Sequence, residues 1–433
     1  EIIKRGRENG IKVFPSLKLQ DPAPPDSERC GLLKLEHGEK VCLQQPHPLW
    51  PNHSAEWAYD FSNPVVREDK IAMVREMLGD YGADGIELDF QFFPLFFRSS
   101  ETGEGVSIMN AFVAQVRDLA NELGAQQGRE IPVMARVDLR EEANLRAGLD
   151  VEAWLKEGSI DLVAGQVRDF LIDTGISYGR WLADAANENG AAAYVRPPRY
   201  VYDERTLDAS VEMYRALGEN LRWQGFSGMY LGYLPWPFSE REYQLLREMA
   251  FPDAAARRDK IYMLQPPEGA DSDTTPERPV PRNLVEGETV SLDILVADDI
   301  EGARRDSEAR EPILTIRFAY FCVDDEVEIR LNGQDLPVDQ AEVTDERALS
   351  MRPMPAYYRG ELGAPMGFSG FWFRYKIDVG LLKRGNNTLE IESKSFAKTA
   401  VFTRSVNGAE IRTRYKDFER PLGLDVERVA PRS

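Results

Sequence analysis

The chain is short of the residues that build metal and redox centres. Its 433 residues include three cysteines and three histidines. His37, His47 and His53 all fall in one loop, so a histidine-built metal site is not expected, and no metal or cofactor is invoked. Cys30 and Cys42 flank a single loop and leave Cys322 over. Spacing alone does not place thiols in space, so a Cys30–Cys42 bridge stays open. No apolar run approaches 18 residues, which excludes a transmembrane helix and membrane insertion by that route. Positive charge is also scarce: 53 Lys and Arg stand against 73 Asp and Glu, a formal net charge of −20. Bulk electrostatics therefore speaks against nucleic acid or an anionic membrane surface as partner. The start, EIIKRGRENGIKVF, has neither an initiator Met nor a signal peptide. It reads as a helix tail entering a strand, and upstream sequence is expected.

What the chain does have is alternation. In residues 81–98, YGADGIELDFQFFPLFFR, the apolar Ile86, Leu88 and Phe90 alternate with Glu87, Asp89 and Gln91. Period-two alternation puts the two sets on opposite faces of a strand. On a surface sheet the polar face is wet; inside a parallel barrel it points inward, where charge must be paired or used.

The surrounding elements favour the barrel. A helix over 1–9 ends at Gly10, and a strand follows over 11–19. A long loop, roughly 20–60, is rich in Pro, His and Trp, and loops of that length are usually functional. Asn63-Pro64 has the N-cap and N1 residues of a helix whose buried side carries Ile71, Val74, Met77 and Leu78. A helix over 105–124, with Ile108, Phe112, Val116 and Leu119 inward, precedes a strand over 131–138. Asp150 caps a short helix that Gly158 stops, and 160–166 is a strand. Helix 177–189 leads to strand 191–196, helix 206–222 to strand 228–234, and 239–250 closes the series. Alternating strands and helices imply a parallel sheet with crossover helices. Six strand units are counted here, and a barrel of eight needs two more, expected upstream.

The texture changes near residue 252. Residues 264–283 are rich in Pro and charge, as a linker is. Beyond them the strands are short and alternating, with turn signals at Asn332-Gly333 and Asn386-Asn387. The expected fold is α/β: a TIM-type (β/α)8 barrel over 1–252, lacking its first units, a linker or first sandwich strand over 253–283, and a β-sandwich over 284–433.

Catalytic groups in barrels sit at the C-terminal ends of the strands. The inward polar residues there are Lys18 with Asp21 after it; Glu87, Asp89 and Gln91; Arg136 and Asp138; Gln166, Arg168 and Asp169; Arg196; and Tyr230 or Tyr233 with Trp236. Carboxylates, arginines and aromatics around one mouth suit a sugar. Carboxylates serve as acid, base or nucleophile, aromatic faces stack on pyranose rings, and Arg takes hydroxyls or an anionic substituent such as carboxylate or sulfate. Asp89, Glu87, Asp138 and Asp169 are the candidate catalytic residues. Lys18, Asp21, Gln91, Arg136, Gln166, Arg168, Arg196, Tyr233 and Trp236 are candidates for substrate binding. Structural readings stand beside these: Glu87 paired to Arg136 or Lys18 inside the barrel, and Asp138 as a cap for the next segment.

The run YDFSNPVVREDKIAMVREMLGDYGADGIELDF resembles the glycosyl-hydrolase-like barrel proteins of bacteria. The resemblance rests on Pro64, Val66 and Arg67 at the helix start, and on Tyr81, Asp84, Gly85, Ile86, Leu88 and Asp89 in the strand. GLDVEAWLKEGSIDLV (148–163) looks like the same family's next unit. The resemblance implies a barrel with a polysaccharide-related role, a carbohydrate partner, a secreted or periplasmic location, and Asp89 as the suspect residue. The strand also looks like the Asp-Gly-x-Asp-x-Asp-x-Glu signature of the chitinase family, with Gln91 where the acid belongs. Glutamine cannot supply an acid's proton, so the chitinase mechanism does not carry over. The tail, with EVEIRLNG and FWFRYKIDVGLLKRGNNTLEIES, looks like galactose-binding-like sandwiches.

These observations converge on a glycoside hydrolase acting, through carboxylates at the C-terminal ends of the barrel strands, on a complex polysaccharide or oligosaccharide, with an anionic one among the options. The alternative is a non-catalytic glycan-binding protein on a degenerate glycosidase barrel, which Gln91 favours. A polysaccharide lyase using Tyr233 is the third reading.

Overall fold

Strand β2, Ile86–Asp89, forms where the alternation predicted it, and all four residues are buried. It lies inside a six-stranded parallel sheet with β1 (Ser16–Lys18), β3 (Val133–Asp138), β4 (Leu162–Gln166), β5 (Ala192–Arg196) and β6 (Gly228–Met229). Strand order equals chain order, β1-β2-β3-β4-β5-β6, as in a singly wound barrel wall rather than a doubly wound sheet. The structure, a computed structural model, describes residues 1–45, 55–167, 171–176, 178–201, 208–232, 234, 237–267, 278–322, 324–345, 370–398 and 403–416.

The outward face of β2 packs on aromatics. The Phe90 ring lies 5.1 Å from Trp154 and 5.6 Å from Phe96. Phe61 meets Phe96 and Phe112 edge-on at 5.3 and 5.8 Å, within the range of favourable aromatic pairs. Gly85 precedes the strand because a Cβ there would lie 2.5 Å from the Phe14 ring. Helix Pro64–Arg75 starts as its sequence indicates: the Asn63 side chain accepts from the Val65 N–H and Pro64 takes the first turn. Its buried stripe is Val66, Lys70 and Val74, continuing to Leu78. Ile71 and Met77, expected inward, are only half-buried, because the stripe follows i,i+4 spacing from Val66.

The second architecture is antiparallel. Strands β7 (Lys260–Leu264), β8 (Arg282–Asn283), β9 (Thr289–Val296), β10 (Ala309–Ala319), β11 (Glu326–Leu331), β12 (Gln334–Asp335), β13 (Glu342–Asp345), β14 (Gly370–Lys376), β15 (Gly385–Ser395) and β16 (Ser405–Tyr415) form two sheets. Their orders are β13-β14-β10-β16-β7, with β8 on β16, and β12-β11-β15-β9. Leu314, Ile316 and Phe373 of one sheet and Leu292, Ile329 and Ile391 of the other share a single buried core, the arrangement of a β-sandwich. Asn332 and Gly333 both have positive φ, 53° and 82°, the type I′ geometry of a tight hairpin. Asn386-Asn387, expected as a turn, lies inside β15 instead. The buried Asn387 amide donates to Lys383 O and Gly385 O and accepts from the Lys383 N–H, so it braces a neighbouring turn from within the strand.

The chain divides into two compact units. The first comprises residues 1–168, 178–196 and 225–230; the second comprises 169–177, 197–224 and 231–433. This differs from the single cut expected near residue 252. Helix Val211–Trp223 belongs to the second unit because Asn220 fastens it there. Its amide donates to Thr174 O at 2.7 Å and Leu295 O at 3.0 Å, and accepts from Ala297 N at 3.0 Å. Cys30, Cys42 and Cys322 are all unbridged. Among the described residues no helix is long and apolar enough to cross a membrane, and no cluster of acidic, His or Cys side chains could hold a metal ion.

One buried pair in the second unit makes its stability depend on pH. The Arg215 guanidinium grips Glu248 with Nε at 2.6 Å and Nη2 at 2.8 Å. Burial alone raises the Glu248 pKa, but the bonds from Arg215 and Gln244 and the Arg215 charge outweigh it, leaving it below its ordinary 4.5. A depressed carboxyl contributes stability that is complete above the unfolded-state value and is lost as pH falls through the folded one. Glu248→Gln is expected to be less stable near neutrality and to lose less on acidification below about pH 4.5. Urea midpoints across the acid range check this, and parallel pH profiles for the two proteins would refute it.

Candidate functional site

Parallel pairing places the polar faces of successive strands side by side. Ser16 stands opposite Glu87, Lys18 opposite Asp89, and Asp89 opposite Arg136. Gln166 stands opposite Arg196, and Tyr230 follows β6 with its N–H on Val195 O. In this register the polar residues of five strand ends fall on one face of the sheet.

Arg136 is the centre. Its Nε lies 3.2 Å from Glu87 Oε1, one Nη donates to Gln166 Oε1 at 2.9 Å, and the other donates to Asp89 Oδ2. One planar guanidinium thus joins three strands, a use of its fixed fork that Lys could not match. Glu87 Oε1 also accepts from Ser16 Oγ at 2.7 Å. The Tyr230 ring lies 5.8 Å from the guanidinium carbon, and its hydroxyl faces Glu87. Burial, then the Glu87 charge, pushes the Tyr230 pKa up to about 12, with Arg136 opposing. Tyr230 is therefore a protonated donor throughout the neutral range.

Asp89 is held on both oxygens. Oδ2 takes Arg136, while Oδ1 accepts the backbone N–H groups of Gln91 at 2.8 Å and Phe92 at 3.1 Å. These bonds close the turn after β2, the Asx habit of a short carboxylate. The Asp89 side chain is 1% exposed and that of Glu87 5%. Buried carboxylates require such partners. Just beyond, Lys18 is exposed, and its Nζ sits 3.8 Å from the centroid of the half-exposed Phe92 ring.

Other candidates are engaged elsewhere in the first unit. Asp21 turns to Lys34, whose buried ammonium lies 3.2 Å from Asp21 Oδ2 and donates to Ala23 O. Asp138 accepts from the N–H of Arg140 at 2.9 Å and pairs with its guanidinium, while Asn144 bonds the Asp138 backbone in both directions. The Asp138 side chain closes a turn ahead of helix Glu141–Arg146, whose N-cap is Arg140, and does not cap that helix as its position suggested. Arg196 is buried at the end of β5. Arg168, Asp169, Tyr233 and Trp236, like His47 and His53, lie outside the described residues. Ser16 was not singled out from sequence. Its signal was parity: it lies two residues before Lys18, on the same face.

No family model matches the chain, and no curated protein does. Solved structures give distant likenesses. A Paenibacillus sp. cycloisomaltooligosaccharide glucanotransferase is 12% identical over 94% of this chain and 46% of its own, with a TM-score of 0.32. An α-amylase from Geobacillus thermoleovorans is 11% identical over 91% of this chain and 80% of its own, at 0.32. The PgaB glycoside hydrolase domain from Bordetella bronchiseptica is 13% identical over 57% of this chain and 75% of its own, at 0.34. The chain spans about half the length of the glucanotransferase. At TM-scores this low, no activity transfers from any of them.

Proposed function

We propose that the first unit is a carbohydrate-active barrel of the glycoside-hydrolase type, which receives an anionic glycan at the C-terminal ends of its parallel strands. The observation that carries this is the grip of Arg136 on Glu87 and Asp89 together. A guanidinium shared by two carboxylates keeps both at one strand mouth, and a pair of carboxylates is what glycoside cleavage employs. Their separation in a bound complex would decide between retention and inversion. Lys18 over Phe92 supports the substrate class: an aromatic face suits a pyranose ring, and an ammonium beside it suits a sulfate or carboxylate. Gln91, Gln166 and Arg196 complete the lining. Residues 284–433 are then an accessory sandwich, and degradation of a polysaccharide suits a secreted or periplasmic protein.

A second reading, a non-catalytic glycan-binding protein, is favoured by one observation. Both carboxylates are almost fully sealed by protein partners, and Gln91 offers no acidic proton. Reducing-end release and binding, measured on neutral, uronic and sulfated polysaccharides with the intact protein and Asp89→Asn, separate the two. Release that falls by at least about a hundredfold in the variant is the expected hydrolase result. Binding without release establishes the second reading, and neither binding nor release refutes both.

A further inference from the structure

Acidic side chains outnumber basic ones in this chain, which carries a net charge of −20, so a cation left without a counter-charge is informative. Lys383 and Arg384 are two such, adjacent and exposed in the turn that precedes β15. Neither makes an ion pair among the described residues. Arg384 commits only its Nε, which donates to Ala297 O at 2.9 Å. Its guanidinium carbon lies 4.7 Å from the centroid of the Trp223 ring, a cation–π contact. Trp223 is 51% exposed, and its indole N–H makes no hydrogen bond among the described residues. Both sides of the pair are held in place. The Asn387 amide braces the turn through Lys383 and Gly385, and a Cβ at Gly385 would meet nothing within 4 Å. Asn220, three residues before Trp223, accepts from the N–H of the same Ala297 whose carbonyl takes Arg384. The carboxylates along these segments are committed: Glu219 to Arg222 at 2.8 Å, Asp298 to Lys260 at 3.1 Å and Asp299 to Arg257 at 3.4 Å. What stays open to solvent is an aromatic face with donors only: the two Nη groups, an ammonium and an indole N–H.

We propose that Trp223, Lys383 and Arg384 form a surface site of the second unit for an acidic sugar, its ring against the indole and its carboxylate or sulfate on the Arg384 fork. The site shares no residue with the mouth assigned to the first unit and does not depend on that assignment. An indole face suits the apolar face of a pyranose, and a planar guanidinium suits a carboxylate or sulfate through paired N–H groups. A neutral sugar leaves the fork to water and binds less tightly. The bracing by Asn220 and Asn387 lowers the cost of binding, because ring and fork are already in place before the ligand arrives.

The test titrates the full chain with trigalacturonate and with a sulfated disaccharide, against uncharged maltotriose, and reads tryptophan fluorescence. The chain has seven tryptophans, so the signal that counts is the part absent from Trp223→Phe. An acidic sugar is expected to produce that signal, and maltotriose at the same concentration is not. Arg384→Gln should weaken the acidic sugar by about tenfold or more, the worth of a charge-assisted hydrogen bond. The Lys383 side chain holds no other described residue, so Lys383→Gln should weaken it by about two- to fivefold with Tm unchanged. Lys18→Gln, at the mouth of the first unit, should leave the signal as it is, so failure of the mouth reading is distinguishable from failure here. No Trp223 signal with either acidic sugar, equal binding of maltotriose, or an affinity unchanged in both Lys383→Gln and Arg384→Gln overturns the proposal and leaves Arg384 a brace between turn and helix. Loss of the signal in Lys18→Gln overturns it as well.

Discussion

Arg136→Met is expected to destabilise the first unit by about 3–5 kcal/mol, the cost of leaving buried carboxylates without their counter-charge. Glu87 and Asp89 both hold this guanidinium, and Gln166 would lose its donor as well. Water cannot replace it cheaply, because the Asp89 side chain is nearly inaccessible. Amide hydrogen exchange in Ile86–Asp89 and Val133–Asp138 reports it directly: protection there should fall by about two to three and a half orders of magnitude, at tenfold per 1.4 kcal/mol. Removing all three charges together, as Arg136→Met with Glu87→Gln and Asp89→Asn, should recover part of the loss. Wild-type protection in the single variant would mean that the carboxylates do not depend on Arg136, and the geometric basis of the proposed function would go with it.

The second large effect lies in the sandwich unit. Asp298 accepts from Lys260 Nζ at 3.1 Å, from Thr413 Oγ1 at 3.1 Å and from Tyr415 Oη at 2.5 Å. The Lys260 side chain is completely buried, and its ammonium also faces the Tyr415 ring at 5.2 Å. Burial and the Asp298 charge push the Tyr415 pKa far up, so the phenol remains a donor. Asp298→Ala removes the acceptor of three donors and strands a buried cation. The expected loss is about 3–5 kcal/mol, or a Tm lower by roughly 10 °C for a unit of this size. Lys260→Met added to Asp298→Ala should restore part of it, because an uncharged pair needs no desolvation. A single variant with wild-type Tm would show that Lys260 finds another partner.

The two predictions differ in how far the sequence foresaw them. The pairing of Glu87 with Arg136 was legible, because alternation within each strand puts both on an inward face and parallel order puts their strands side by side. The network around Asp298 was not, since Lys260, Asp298 and Thr413 are far apart in the chain and belong to separate segments. Helix Val211–Trp223 shows the same limit. A helix was expected over 206–222 from its place between two strands, but that carried no information about which unit Asn220 would fasten it to.

Local periodicity and turn chemistry fixed the elements of this protein. The i,i+2 alternation of 86–91 made a strand, Asn63-Pro64 started a helix, and Asn332-Gly333 made a hairpin, because each depends on the conformational preferences of residues adjacent in the chain. Tertiary structure decided what the polar residues do. Asp89, Asp21 and Asp138 read alike in sequence, as carboxylates at strand ends. Only packing gave Asp89 to Arg136 and the turn after β2, Asp21 to Lys34, and Asp138 to Arg140 and Asn144. The reason is that a buried carboxylate takes the donors nearest to it in space, and those donors are brought there by strands and loops that the sequence pattern orders but does not dock.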